Sequence, residues 1–361
     1  MTNSVTTLPL LTKTECNILR GIAIIGIFLH NYSHWLGPIV KENEYQFFQQ
    51  NADRFLQVVL SPDSNLPLHL LSFFGHYGVP VFLFLSAYGL ELKYGQAQTP
   101  SADSHRPSAI AFIRQHYLKL FKMMIVGFVA FTLVDYVTRG PHHYAFLDVV
   151  AMLGMFNNLL PHPDQIIWPG PYWFFGLMLQ LYAVYRLLLY RRSWQWTVAL
   201  MAICLLIQCF LAPESEALNR YRYNFMGGML PFGLGILYAR FGKELSLQAY
   251  LNILVLSSIM AVAFSLNFYA WTLVPAFICS GSVALVKIIT AGGQKPVIGS
   301  LAAFFSWMGT ISSALFVSHP ITRKIFIPIS RDGDVYAGLI LYITASLLIA
   351  AMWPAIQKKK A

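Results

Sequence analysis

Leu19-Arg20-Gly21-Ile22-Ala23-Ile24-Ile25-Gly26-Ile27-Phe28-Leu29-His30-Asn31-Tyr32-Ser33-His34-Trp35 has the apolar run of a membrane helix and polar groups that such a helix ordinarily lacks. From Ile18 to Trp35 the chain is about long enough to cross a bilayer. Arginine, histidine and asparagine are costly in lipid and mark a functional site by default. At 1.5 Å per residue, Arg20 and His30 lie roughly 15 Å apart along one rigid rod, a cation near one water interface and an imidazole deep in the membrane. That layout suits chemistry carried out across a bilayer.

Outward from this stretch the composition agrees. Of 361 residues, 57% are hydrophobic and only 11% charged, against about 25% charged in a soluble domain, and the mean hydropathy is +0.56. These values predict an all-α, polytopic integral membrane protein. Apolar segments run from Ile18 to Trp353 with no long polar block, so a single membrane domain over 1–361 is expected, with no appended soluble enzyme. Ten helices are predicted, at about 17–36, 68–91, 118–137, 168–190, 194–211, 224–240, 249–267, 269–289, 301–319 and 335–354.

The N-terminus lacks a charged n-region and a small-residue cleavage site, so the first helix is expected to stay in the mature protein. Cys16, Cys204, Cys209 and Cys279 fall near or inside different apolar segments without metal-ligand spacing. Neither a disulfide framework nor a metal site is expected.

The net charge of +10 does not imply a nucleic-acid partner, because the cations flank apolar segments and report orientation. An even helix count puts both termini on one side. If that side is the cytoplasm, Lys41, Arg54, Arg139, Arg220, Arg222, Arg323, Lys324 and Arg331 lie outside, eight of 25, with the other 17 inside. The positive-inside rule therefore predicts a multi-pass protein of the cell (inner) membrane with cytoplasmic termini. The outer loops 37–67 and 138–167, the second with Pro141-His142-His143 and Leu160-Pro161-His162-Pro163-Asp164, have turn compositions suited to lids or acceptor-binding loops. The inner loop Lys93 to Tyr117 is a basic approach to the membrane.

Further motifs follow in order. Gly75-His76-Tyr77-Gly78-Val79-Pro80 opens the second helix, which carries Ser86 and small residues where helices could approach closely. Arg114, Lys119 and Lys122 anchor an inner face by themselves and as a set could hold phosphates. Gly170-Pro171-Tyr172-Trp173 opens a helix whose Gln180 needs a hydrogen-bond partner in lipid. Ser318-His319-Pro320 places a histidine before a helix-breaking proline at the outer end. His30, His34, His76, His319 and Trp173 thus fall in the outer half, and Arg20, Arg114, Lys119 and Lys122 on the inner side.

At these residues the chain resembles the acyltransferase family 3 membrane proteins, which acylate sugars and other hydroxyl-bearing molecules from cytoplasmic acyl-CoA. The first helix is similar to the family's arginine-to-histidine motif. Gly78 to Gly89 is similar to its glycine-valine to serine-glycine block, with Ala87 in place of the glycine after Ser86. Phe112 to Leu120, Tyr172 to Tyr182 and Met308 to Pro320 resemble its basic, tryptophan-phenylalanine and serine-leucine-histidine-proline blocks. The family has ten residues between arginine and histidine; here nine separate Arg20 from His30, and Asn31 occupies the usual place.

The resemblance implies a membrane O-acyltransferase that takes acetyl from cytoplasmic acetyl-CoA, without a metal, and delivers it to a carbohydrate hydroxyl at the outer side. Arg20, Arg114, Lys119, Lys122 and Ser86 would hold the donor, and Tyr172, Trp173, His76 and His319 the acceptor. His30 would act as general base, with Asn31 and His34 beside it. An eleven-residue step returns to within about 20° of the start on a helix, where Asn31 stands, while His34 lies about 40° and His30 about 80° away. His30 sits deeper and His34 nearer the outer interface, so either could take the role. The bilayer, acyl-CoA and a glycan are the expected partners, and an oligomer is compatible with the sequence. A transporter or flippase for a glycan or its precursor would use the same polar helices without covalent chemistry. A scaffold would leave Arg20 and His30 unexplained.

Overall fold

The computed structural model describes residues 10–95, 107–138, 140 and 144–358. Among these every regular element is helical: α1 Lys13–Ser33, α2 Gln49–Leu60, α3 Leu66–Phe74, α4 Gly78–Leu90, α5 Ala109–Val137, α6 Phe146–Gly154, α7 Pro163–Ile166, α8 Trp173–Val184, α9 Trp194–Phe210, α10 Glu216–Tyr223, α11 Phe225–Phe241, α12 Leu247–Phe264, α13 Phe268–Trp271, α14 Val274–Ala291, α15 Pro296–Asp332 and α16 Val335–Lys358. Among the described residues seven helical stretches are long and apolar enough to cross a membrane, and α9 and α11 are shorter apolar helices. The protein is a multi-pass membrane protein.

α1 is buried on most of its circumference, with Ile18, Ile24, Ile27, Phe28 and Tyr32 all nearly inaccessible. An apolar helix buried all round belongs at the centre of a bundle. It begins four residues earlier than its apolar run, because Thr12 and Glu15 form a capping box: the Thr12 hydroxyl accepts from the Glu15 amide, and the Thr12 amide donates to the Glu15 carboxylate. α15 lies alongside it in close backbone contact. A Cβ on Gly21 would overlap the Phe305 carbonyl, and one on Gly309 the Asn17 carbonyl, so the pair tolerates glycine alone at these crossings. α16 closes over α15, and its Tyr342 hydroxyl donates to the Phe28 carbonyl of α1 at 2.7 Å.

On the other side, α3 and α4 form one bent span. Between them Gly75–Tyr77 makes a 3₁₀ turn where Gly75 presses against Gly26 and His30. A tight turn inside a span often marks a functional position. α11 packs on α4, α12 on α14, and α5 on α8 and α15. Exposed Leu206, Phe210, Val255, Leu256, Ile259, Ile340 and Leu348 cover α9, α12 and α16 with an apolar surface suited to lipid.

Two expectations are corrected. α5 starts at Ala109, so residues 109–117 are helical and not loop; Ser108 caps them by accepting from the Ala111 amide. α15 does not stop at Pro320 but runs through Pro320 and Pro328 to Asp332. Prolines are tolerated inside membrane helices where side chains and neighbours satisfy nearby carbonyls. Here His319 Nδ1 donates to the Leu315 carbonyl at 3.1 Å, the Tyr172 hydroxyl to Val317 at 2.9 Å and the Thr322 hydroxyl to His319 at 3.0 Å. The outer loop 37–67 also contains a helix, α2. Pro141-His142-His143 and Ser101 lie outside the described residues.

Candidate active site

The last turns of α1 bring His30, Asn31 and His34 to the wall of a cavity of about 160 Å³. Trp173, Phe174, His76, Val79, Tyr223 and Arg323 complete much of its lining. The strap 34–48 folds back to the end of α1 and adds Glu42, Glu44 and Tyr45 to the lining. The strap is pinned at several points: the Val40 amide donates to His69 Nδ1, Ser72 Oγ to the Val40 carbonyl at 2.6 Å, Trp271 Nε1 to the Asn43 carbonyl and the Phe47 amide to Pro213. Arg222 Nε donates to the Glu44 carbonyl at 2.5 Å. Tyr45 stacks on Tyr223 at 3.9 Å and meets Trp173 edge-on.

His30 is 2% exposed, and its Nδ1 lies 2.8 Å from the Ser72 carbonyl. A carbonyl can only accept, so Nδ1 carries the proton and neutral His30 presents a lone pair at Nε2. That Nε2 lies 4.0 Å from Glu42 Oε1 and 3.9 Å from Glu44 Oε2. His34 sits one turn on, its ring 4.6 Å from that of His30, and pairs through Nδ1 with Glu42 Oε1 at 2.9 Å. Burial alone would raise Glu42, but the His34 and His30 imidazoles outweigh it and hold the carboxyl below the ordinary range. Glu44 is pushed up to about 8 by burial and by the neighbouring Glu42 charge.

Asn31 lines the cavity but does not approach the imidazoles as a free amide. Its Nδ2 donates back to the Ile27 carbonyl, while its own carbonyl and Oδ1 accept from Arg323 Nη1 at 3.1 and 3.4 Å. Arg323 is 6% exposed and also lies over the Trp35 ring. His76 is buried with no hydrogen-bond partner for either nitrogen among the described residues, its ring 5.5 Å from His30. Trp173 lines the cavity. Tyr172 and His319 are not among its lining residues: the Tyr172 hydroxyl is spent on α15, and His319 is fully buried on its own helix.

At the other end of α1, Arg20 is partly buried and donates to Asn17 Oδ1 at 3.2 Å. Its charge reaches the Tyr182 hydroxyl, which is 3.2 Å from Ser86 Oγ. His116 packs on Tyr182 with ring centroids 4.5 Å apart. Lys119 lies about 60° round α5 from His116, whereas Lys122 is about 120° and Arg114 about 160° away. All three cations are exposed, and Lys119 is the nearest to His116 in helical angle. A cavity of about 40 Å³ shares Glu44, Tyr45, His76 and Trp173 with the larger one and extends to Leu83 and Leu177.

Glu42, Glu44 and Arg323 escape a reading by motif. Glu42-Asn43-Glu44 carried a usable signal, because alternate residues of an extended segment point to one side. Asn43 accordingly turns away, its Oδ1 accepting from the Phe48 amide.

A family model described as an acyltransferase domain, acyltransferase family 3, matches residues 14–355. No curated protein and no solved structure matches the chain.

Proposed function

The chain belongs to acyltransferase family 3 and is a membrane acyltransferase; from that premise we propose that it moves an acetyl group from cytoplasmic acetyl-CoA to a carbohydrate hydroxyl on the outer side of the cell (inner) membrane. Both termini would then be cytoplasmic, with Arg20 at the donor mouth and His30 at the acceptor. The observation that carries this reading is the His30 tautomer: the bond from Nδ1 to the Ser72 carbonyl leaves Nε2 as a lone-pair base in a walled cavity.

In the reaction, His30 Nε2 takes the proton of the acceptor hydroxyl as the oxygen attacks the thioester carbonyl. The carbon–sulfur bond breaks, the ester forms, and the departing thiolate takes the proton back from the imidazolium. Glu42, whose carboxyl stays ionised, lies 4.0 Å from Nε2 and offsets the transient positive charge. The His34–Glu42 pair adds a second oriented imidazole, whose Nε2 has no partner among the described residues. Arg20 would meet the CoA phosphates with its planar fork, with Ser86, Tyr182 and Lys119 beside it and Arg114 and Lys122 farther round α5. Trp173 would stack on the sugar, with His76 beside it and Tyr172 and His319 supporting that wall.

The test is release of free CoA thiol by the detergent-purified protein given acetyl-CoA and a glycan extract of the cell envelope. Thiol release with acetyl ester appearing on the glycan is expected. Bound acetyl-CoA that is never turned over with any glycan fraction would overturn the reading in favour of transport.

A further inference from the structure

We propose that His30, His34 and Glu42 form a divalent-cation site of the zinc class, and that zinc held there withdraws the base from the acceptor and stops transfer. The three residues offer one ligand atom each, all within 4.8 Å of one another. His34 Nδ1 is 2.9 Å and His30 Nε2 4.0 Å from Glu42 Oε1. Around a tetrahedral zinc with bonds of about 2.0–2.1 Å, ligand atoms stand roughly 3.3 Å apart. The two separations to Glu42 bracket that value and the two imidazole ligand atoms lie within 4.8 Å of each other, so the ion needs side-chain adjustments of at most about 1.5 Å. Two imidazoles and a carboxylate are a donor set that zinc takes readily, with a fourth position left open.

The surroundings are those of a ligand site. A metal-bound imidazole ordinarily donates its other nitrogen to a carbonyl or carboxylate, which fixes the ring. His30 Nδ1 makes that bond to Ser72, and Ser72 is in turn held by its hydroxyl on Val40. The Glu42 peptide carbonyl accepts from Asn51 Nδ2 at 3.0 Å, and the His34 carbonyl from Lys41 Nζ, so the backbone on both sides is anchored. Glu42 Oε2 and both nitrogens of His76 are buried without partners among the described residues, so polar atoms await a ligand or its bound water. Arg323 lines the same cavity and its charge opposes a cation; Glu44, 3.9 Å from His30 Nε2, adds a further carboxyl oxygen beside the site.

Coordination through His34 Nδ1 moves that ring's proton to Nε2, or releases it if the ring was cationic. Coordination through His30 Nε2 occupies the lone pair that accepts the hydroxyl proton. The inhibitory half of the proposal therefore rests on His30 being the base, while the binding half stands on the cluster alone.

The experiment uses the full chain, purified in detergent with a tag free of histidine, stripped with chelator and titrated with zinc chloride. One zinc per chain is expected by mass spectrometry of the metal, and cobalt(II) in its place should give the visible bands of four- or five-fold coordination. Glu42→Gln and His34→Ala should each weaken zinc by more than the about 10–100-fold that loss of an outer partner costs. His162→Ala, on an exposed loop, should leave the stoichiometry unchanged. Glu42→Gln keeps the side-chain shape, and an unaltered size-exclusion profile separates lost ligation from lost folding. Fewer than one zinc per chain in the parent, or full binding by both variants, would overturn the site. Thiol release should fall on zinc addition and recover with chelator; bound zinc that leaves turnover unchanged or raises it would overturn the inhibitory half. Absence of turnover in the stripped protein would count against the acyltransferase reading while the metal titration still stood.

Discussion

His30 and His34 divide the catalytic question at the scale of single residues. Both reach the cavity, and each has one nitrogen tied down, His30 by a backbone carbonyl and His34 by Glu42. Depth separates them, since His30 is buried while the His34 side chain is 20% exposed. His30→Ala should lower turnover by about 10²–10⁴, the usual worth of a positioned base, with acetyl-CoA affinity intact. His34→Ala should mainly raise the KM for the acceptor; full turnover in His30→Ala would transfer the role to His34. Asn31 cannot stand in for either, since an amide accepts no proton at neutral pH. At the donor end, Arg20→Lys keeps the charge and loses the two-pronged fork, so the acetyl-CoA affinity measured by calorimetry should fall, and Arg20→Ala should weaken it further. An unchanged affinity in Arg20→Ala would remove Arg20 from the donor mouth.

Between elements, the site depends on how closely α1 and α15 approach. Gly309→Ala puts a methyl into the backbone of α1 at Asn17, and overpacking of that kind costs about 1–3 kcal/mol. Its thermal unfolding in detergent should come at a clearly lower temperature than that of the parent. Tyr172→Phe removes only the hydroxyl bond to Val317, so about 0.6 kcal/mol is the expected loss, the average for such bonds in membranes. A second junction holds Trp173 in place. Gln180 Nε2 donates to Asn224 Oδ1 at 2.8 Å, Asn224 Nδ2 to the Asn158 carbonyl, and Asn158 Nδ2 to the Trp173 and Tyr223 carbonyls. The partner that Gln180 needed is thus on the chain entering α11, and the same network fixes the cavity wall. Asn158→Leu should loosen that wall and raise the acceptor KM more than it changes turnover.

Across the whole molecule, His30, His34, His76 and the carboxylates of the strap gather at one end, while Arg20, Lys119 and the Glu91–Arg240 pair mark the other. The loop 211–215 belongs with the strap, since the Pro213 and Glu214 carbonyls accept from Phe47 and Gln46. With cytoplasmic termini, a cysteine at Ser215 should react with an impermeant thiol reagent from outside and one at Ser101 should not. The reverse pattern would invert the molecule and with it the direction of acyl delivery.

Local information carried most of the architecture. Apolar segments that must satisfy their own backbone in lipid can only be helices, so nine of the ten segments predicted from hydropathy are recovered with shifts of a few residues or a longer N-terminal start. The α1 start at Lys13, four residues before the predicted 17, is fixed by the Thr12–Glu15 capping box and not by hydropathy. The exception, α15, extends past Pro320 because its carbonyls find donors on Tyr172, His319 and Thr322, and proline chemistry alone cannot report that. Arg20 and His30 stand out in the sequence because polar groups are rare in an apolar run. Glu42, Glu44 and Arg323 do not, because carboxylates in a loop and an arginine near a helix end are ordinary in isolation. They acquire meaning when the strap folds over α1 and α15 lies beside it, since distances of 3–4 Å between segments far apart in the chain are set by packing. The type and order of the elements were written in the sequence; which side chains meet was decided by the tertiary structure, because contacts between distant segments are set by packing.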